Sequence, residues 1–67
     1  MEDHEFWMWA DKVVVDNMGS ITVGYLPTKE IWRISLIPCL GEEIYIEDRF
    51  RHIAYKRAMS AYKLQVK

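Results

Sequence analysis

Cysteine, glycine and proline are scarce in this chain, which has one, three and two of them in 67 residues. The single cysteine, Cys39, excludes an intrachain disulfide and therefore a disulfide-stapled miniprotein. We expect its side chain to be buried as a small apolar group. No stretch approaches the ~20 consecutive apolar residues that a membrane span needs. The N-terminal sequence MEDHEFW is acidic where a secretory signal is basic, so we expect a soluble, cytoplasmic protein.

Catalytic, metal and cofactor motifs are also missing. The two histidines, His4 and His52, have no ligand spacing with each other or with Cys39, so neither a metal site nor a cysteine-histidine nucleophile is predicted. Both histidines are expected at the surface. The acidic pairs Glu42-Glu43 and Glu47-Asp48 fall in predicted turns, where carboxylates are usually solvated. We predict that the protein is not an enzyme and holds no cofactor.

Acidic side chains are absent from the last nineteen residues, RFRHIAYKRAMSAYKLQVK. Residues 1–48 contain ten acids and three bases, a net charge of −7, whereas residues 49–67 contain six bases and carry +6. The total of −1 therefore conceals a strong separation of charge. Such a separation predicts that the basic segment meets something acidic: phosphate, another protein, or the first part of this same chain.

The residues that are abundant suit a small folded protein. Apolar residues make up 51% of the chain and charged residues 28%, which are ordinary values for a globular domain. At this length we predict a single domain, residues 1–67, near the lower size limit for a hydrophobic core. Three tryptophans cannot all be covered in so small a domain, so at least one is expected at the surface.

The first periodic segment, HEFWMWADKVVVD, predicts a helix over residues 4–15. Asp3 is placed to act as its N-cap, and the acids of the first turn suit the positive end of the helix dipole. The alternative is a strand over 12–16, because three consecutive valines favour extended structure. In that case residues 16–19 form a hairpin turn instead of the end of a helix. The helical interpretation places five apolar residues on one face: Phe6, Trp9, Ala10, Val13 and Val14.

Three short segments after Gly19 alternate with the period of two that is typical of strands. They are SITVGYL, EIWRISLIP and EIYI, and they are separated by the turn sequences LPTKE and CLGEE. Such tight connections predict an antiparallel meander. The residues predicted to share the apolar faces of the strands are Ile21, Val23, Tyr25, Trp32, Ile34, Leu36, Ile44 and Ile46.

The last segment is predicted to be helical from Asp48, a suitable N-cap, to the end of the chain. Arg57 falls within its apolar sector, so its guanidinium is expected to reach water along the apolar surface, or else to pair with Glu47 or Asp11. At about 100° per residue, five side chains form the sector predicted to face the core: Phe50, Ile53, Ala54, Ala61 and Leu64.

Two further stripes follow this helix outside the predicted core sector. Tyr55 and Tyr62 lie beside Arg51 on one side. On the other side lie five basic residues, here called the basic flank: Arg49, His52, Lys56, Lys63 and Lys67. Bases next to aromatic rings are what a nucleic-acid surface needs, because cations neutralise phosphates and rings stack on bases. An acidic protein partner and a merely solvated helix face are the alternatives.

Together these elements predict an α+β fold. A small three-stranded antiparallel sheet is covered by the C-terminal helix and by an N-terminal helix, in the order α-β-β-β-α; the alternative order is β-β-β-β-α. The α-β-β-β-α layout, ending in RHIAYKRAMSAYKL, resembles the double-stranded-RNA-binding domain. That resemblance implies phosphate contacts from the start of the last helix, where Arg51, His52 and Lys56 lie. The family's lysine pair is replaced by Arg51-His52 and its glycine-proline-histidine loop by PTKE, so no family is assigned.

The favoured functional hypothesis is a small protein-binding module, an inhibitor or adaptor that occupies the acidic surface of a larger protein. Virus-encoded proteins that block a host enzyme or defence complex have this profile, which places such a protein in the host cytoplasm. A homodimer, in which the basic helix meets the acidic part of a second copy, is also allowed by the charges. The alternative function is nucleic-acid binding. The predicted partner-binding residues are Trp7, Trp9, Arg49, Arg51, His52, Tyr55, Lys56, Tyr62 and Lys63.

Overall fold

The computed structural model describes residues 2–65 and confirms the α+β order α-β-β-β-α. The alternative with an N-terminal strand is wrong. The predicted helical residues 66 and 67 lie outside the described part of the chain. The elements in order are α1 (Asp3–Trp9), a π-helical segment (Ala10–Val15), β1 (Ser20–Leu26), β2 (Ile31–Ile37), β3 (Ile44–Asp48) and α2 (Arg51–Gln65).

The three strands form the predicted antiparallel meander, in the order β1-β2-β3. Ser20 pairs with Ile37 in the first ladder, and Leu36 pairs with Ile44 in the second. The strand period of two then places Ile34 and Leu36 on the covered face, where neither is exposed. The opposite face carries residues such as Arg33 and is open to solvent. Only one face of the sheet therefore contributes to the core.

The N-terminal helix is confirmed over residues 4–15, but its second half is wound more widely than an α-helix. The amide of Asp16 donates to the carbonyl of Asp11, five residues back, at 2.9 Å. The prediction that Asp3 caps the helix is wrong: Glu2 occupies the N-cap position, and the carboxylate of Asp3 contacts Arg51 instead. The predicted apolar face is confirmed, because Phe6, Ala10 and Val14 are fully buried and Trp9 and Val13 are half-buried.

The segment after the π-helical turn allows no side chain at Gly19. Its amide donates to the Val14 carbonyl at 2.8 Å, and a Cβ at this position would lie 2.8 Å from the Ile37 carbonyl oxygen. Met18, just before it, adopts a left-handed conformation with φ of 65°. The helix therefore ends in a tight reversal that leads directly into β1.

Helices α1 and α2 lie side by side on the covered face of the sheet, joined by aromatic rings. Phe6 stacks on Tyr55 with ring centroids 4.1 Å apart, and Trp9 meets Tyr62 edge-on at 5.6 Å. The Tyr62 hydroxyl donates to the Val13 carbonyl at 3.1 Å. Because the contact residues advance along both helices together, the two helices run in the same direction.

The predicted core sector of α2 is confirmed at Ala54, which is fully buried, and at the half-buried Ala61, but its centre is wrong by about a quarter turn, roughly 90° of helix rotation. Phe50, Ile53 and Leu64 are 57%, 37% and 72% exposed. The physical reason is that the two tyrosine rings fill the space between the helices, while alanines let the helix approach the sheet. The residues of α2 that are buried are Ala54, Tyr55, Ala58 and Tyr62.

Four smaller predictions have mixed outcomes. Cys39 is exposed, so the prediction that it is buried is wrong; it lies in the connection after β2, as predicted for the segment CLGEE. Trp7 is 39% exposed, which confirms that one tryptophan reaches the surface. His4 and His52 are exposed, as expected. Asp48 is the last residue of β3 and not the N-cap of α2.

Candidate functional site

The feature that stands out on the surface is the outward side of α2. The rotation of α2 about its axis is fixed by Ala54 and Ala58, which are fully buried against the rest of the core. Side chains about a quarter turn of helix away from these alanines therefore lie in solvent, on the side of α2 next to β3. We call these residues the α2 stripe: Phe50, Ile53, Arg57, Ser60 and Leu64.

An open groove of about 380 Å³ lies along the α2 stripe. Its floor includes Ile46, the half-buried residue on the covered face of β3. The short side chains of Ser60 and Ala61 make room for it, and Leu64, Lys56 and Arg57 complete its walls. The groove is therefore lined mainly by apolar side chains, with Lys56 and Arg57 beside them.

The basic flank runs beside the α2 stripe. Arg49, His52, Lys56 and Lys63 are all exposed, and Lys67 lies outside the described residues. Within residues 2–65 the ion pairs are those of Arg51 and Arg57, so Arg49, Lys56 and Lys63 form none there, while His52 lines a cavity together with Glu2 and Asp3. α2 itself contains no acid, and on its β3 side the Asp48 carboxylate pairs with Arg57.

Arg57 belongs to the α2 stripe, but its guanidinium group is hydrogen-bonded to residues of β3. Its Nη1 donates to the Glu47 carbonyl at 2.9 Å and to the Asp48 carboxylate at 3.1 Å, while about half of the side chain stays exposed. It thus reaches water and also has an acidic partner, which is Asp48 and not the carboxylate of Glu47 or Asp11. The backbone N–H of Phe50 and then Arg57 hold the pKa of Asp48 below its ordinary value.

Arg51, a predicted partner-binding residue, is engaged within the chain. Its Nε lies 3.1 Å from the Asp3 carboxylate, and its guanidinium carbon lies 5.0 Å from the centroid of the Trp32 ring. A cation between a carboxylate and an aromatic face is already well satisfied. Arg51 therefore ties the start of α2 to α1, and it is not a free cation of the surface.

The predicted aromatic contacts are mostly internal. Tyr55 and Tyr62 are only 2% and 7% exposed, so the prediction that they form an exposed stripe is wrong. Burial raises the pKa of the Tyr55 hydroxyl, and the nearby Asp3 carboxylate raises it further. Trp9 packs against both halves of the core, whereas Trp7 keeps an exposed edge.

The predicted partner-binding residues therefore divide into those that are exposed at the surface and those that are engaged inside the molecule. The structure brings together Arg49, His52, Lys56 and Lys63 on one exposed flank, and it places Trp7 on the other helix. Sequence reasoning missed Phe50, Ile53 and Leu64 as surface residues, because it assigned them to the core. A signal was present: Arg57 and Ser60 fall in the same sector, and two polar residues there are typical of a surface stripe.

Between Glu2 and Gln65, no three His, Cys, Asp or Glu side chains lie close enough together to hold a metal ion. No helix of that region is long and apolar enough to cross a bilayer. What the α2 stripe and the basic flank offer is apolar area and positive charge side by side.

No protein family, no curated protein and no solved structure matches the chain.

Proposed function

We propose that the protein is a small non-enzymatic binding module, an inhibitor or adaptor, that occupies a surface of a larger protein through the α2 stripe and the basic flank. The observation that carries the proposal is the exposure of Phe50, Ile53 and Leu64 on one side of a helix that is otherwise well packed. Large apolar side chains grouped in solvent are typical of interaction sites.

The energetic argument rests on burial. Fully covering a Leu, Ile or Phe side chain is worth about 1.5–3 kcal/mol each, and every 1.4 kcal/mol is tenfold in affinity. Phe50 and Leu64, the more exposed two, lie at opposite ends of the α2 stripe and would anchor a partner at two points. The intervening groove beside Ile46 accepts a side chain of the partner.

The charges define the partner further. Lys56 and Lys63 have no carboxylate partner among the described residues, so an acidic surface gains attraction without breaking an internal ion pair. Charge complementarity at an interface raises the association rate and selects against basic partners. We therefore expect a protein surface that combines apolar side chains with Asp or Glu.

Nucleic acid fits this surface less well. The hypothesis needs rings that stack on bases, and Tyr55 and Tyr62 are buried between the helices. It also relies on Arg51, which is engaged by Asp3 and Trp32. The remaining cations could attract phosphate, but the neighbouring apolar residues of the α2 stripe would gain nothing from it.

The test is capture of partner proteins from an extract of the native cell by three immobilised forms of the protein. Leu64→Asp places a charge in the α2 stripe. Met18→Asp is the matched control, because Met18 is also highly exposed and its left-handed backbone tolerates aspartate. We expect proteins bound by the wild type and by Met18→Asp to be lost, by about tenfold or more, with Leu64→Asp.

Two results would contradict the proposal. One is a set of bound proteins that is the same for all three forms, and the other is the absence of specific proteins at low as well as physiological salt. Recovery of nucleic acid by the wild type, abolished by Lys56→Glu with Lys63→Glu but not by Leu64→Asp, would favour the nucleic-acid hypothesis instead.

A further inference from the structure

We infer that the element received by the α2 stripe is an acidic amphipathic α-helix of the partner, which packs alongside α2. This inference rests on the proposed function and goes beyond it in naming the structure and chemistry of the bound element.

The spacing of the α2 stripe is the first observation. Phe50, Ile53, Arg57, Ser60 and Leu64 are separated by three, four, three and four residues. This alternation is the a and d pattern of a heptad repeat, which keeps one seam of a helix facing another helix. On α2 the seam lies outside the core, because the buried residues occupy a different side of the helix. Only Arg57 of the seam bonds a neighbouring element, through Glu47 and Asp48 of β3, and the apolar seam residues Phe50, Ile53 and Leu64 stay exposed.

The charges next to the seam are the second observation. Lys56 and Lys63 are seven residues apart and occupy the g position of the repeat, while Arg49, a further seven residues back, lies in the bend before α2. The corresponding e positions are Ala54 and Ala61, which are uncharged. Side chains at e and g select the partner of a coiled-coil pair by charge. Two lysines and no acid at these positions specify carboxylates on the partner helix.

The shape of the groove favours a helix that presents one protruding side chain to it. Ser60, at a d position, is small, and Ala61 beside it is also small, so the seam has a recess between Arg57 and Leu64. The base of the recess is Ile46. A leucine of a facing helix fits such a recess as a knob fits a hole.

A strand added to the free edge of β3 is the main structural alternative. One end of that edge is already covered, because the Arg57 guanidinium donates to the Glu47 carbonyl at 2.9 Å and contacts Asp48. A strand pairing there would have to displace the arginine and leave Asp48 without it. This contact favours a helix resting on α2 over a fourth strand beside β3.

A second copy of α2 is less well matched to the seam than an acidic helix. Two copies packed antiparallel would set g position against g position, which brings Lys56 and Lys63 towards the same lysines of the other copy, and two copies packed parallel would set these lysines against the uncharged Ala54 and Ala61. Like charges placed opposite each other oppose association. The seam therefore suits a different, acidic helix.

The experiment uses a synthetic peptide of about three heptads with Leu at a and d and Glu at e and g. Its glutamates hinder self-association at neutral pH, and a peptide with Lys at the same positions is the control. Binding to the 67-residue protein labelled with nitrogen-15 is followed by NMR. We expect shifts at Ile53, Lys56, Ser60, Leu64 and Ile46, a gain of peptide helicity, and at least tenfold weaker binding of the Lys peptide.

A charge reversal makes the test specific. In Lys56→Glu with Lys63→Glu the preference should change to the Lys peptide. The matched control is Lys12→Glu with Lys29→Glu, which alters the net charge equally at exposed lysines outside α2 and should keep the preference of the wild type.

The inference is overturned if the Glu peptide does not bind, if it binds without gaining helicity, or if the shifts fall on β3 and leave α2 unchanged. The proposed function fails separately, when capture of native partners is insensitive to Leu64→Asp. Loss of capture with Leu64→Asp together with an inert peptide would retain the proposed function and reject the acidic helix.

Discussion

At the scale of single residues, the two tyrosines of α2 explain why its core-facing side was predicted wrongly. A tyrosine has an apolar ring and a polar tip, so its place on a helical wheel does not reveal whether it is buried. The Tyr62 ring lies between the helices while its hydroxyl donates to the Val13 carbonyl. Tyr55 is stacked on Phe6. Because no sequence pattern distinguishes such tyrosines from exposed ones, their burial could not be predicted.

Asp48 gives the first prediction, which concerns pH. Its pKa is lowered in the folded protein, chiefly by the Phe50 N–H and then by Arg57. A carboxyl with a lowered folded pKa contributes stability that is present above its unfolded pKa, about 3.9, and is lost as pH falls through the folded value. Asp48→Asn should therefore be less stable than the wild type at pH 7, and the difference should shrink below about pH 4.

The measurement is the free energy of unfolding of both proteins by denaturant between pH 7 and pH 3. Arg57→Met serves as a comparison, because it removes the ion pair with Asp48 and the hydrogen bond to the Glu47 carbonyl but leaves the Phe50 N–H bond to Asp48 in place. A difference between wild type and Asp48→Asn that stays constant over the whole range would contradict the prediction.

At the scale of elements, the sheet was predictable and the orientation of α2 was not. The strands alternate strictly, and a period of two leaves only two faces to choose between, of which the one with Ile34 and Leu36 is plainly the apolar one. A helix offers a continuous choice of angle. On α2 two sectors are both partly apolar, one with Ala54 and Ala58 and one with Phe50 and Leu64, and the partner helix α1 decides between them. That decision depends on contacts distant in the sequence.

The unknown rotation of α2 also limited how much of the candidate site could be predicted. The basic flank was predictable, because Arg49, Lys56 and Lys63 fall together for any rotation of the helix. Its apolar neighbour was not, because Phe50 and Leu64 had been assigned to the interior. The π-helical segment was likewise not predictable, since no local signal in the run of valines requires the wider winding.

The rotation of α2 gives the second prediction, tested by a matched pair of substitutions. Ala58→Leu inserts a large side chain at a fully buried position and should destabilise the protein by about 1–3 kcal/mol. Ser60→Leu places the same side chain two residues later, on the exposed α2 stripe, and should change stability by no more than about 0.5 kcal/mol. Thermal and denaturant unfolding measure both. Equal losses for the two variants would contradict the orientation.

At the scale of the whole molecule, the separation of charge along the chain becomes a separation in space, with two internal exceptions. Asp3 and Asp48 pair with Arg51 and Arg57 and so join the acidic and basic parts of the chain within one molecule. The basic flank takes no part in these two ion pairs and lies on one side of the molecule. The acids of α1 remain on the other helix, whose exposed face also carries Met8.

These two surfaces determine what self-association the protein allows. Pairing like surfaces about a two-fold axis sets Lys56 and Lys63 against themselves. Pairing the acidic face of α1 with the α2 stripe of another copy joins unlike surfaces, which is a heterologous contact and forms rings or open chains instead of a two-fold dimer. Such a contact depends on charge and is weakened by salt.

The third prediction follows from that geometry. At an ionic strength of about 0.15 M we expect a monomer of 8.0 kDa by light scattering, because the Debye length of about 8 Å leaves little attraction between separate copies. At about 0.01 M, where the Debye length is near 30 Å, any increase in mass should grow with concentration without a plateau at twice the monomer mass. Leu64→Asp should suppress that increase and Met18→Asp should not. A stable dimer that persists at high salt would instead mean that the α2 stripe is covered by a second copy through apolar contact, against the repulsion of its own lysines.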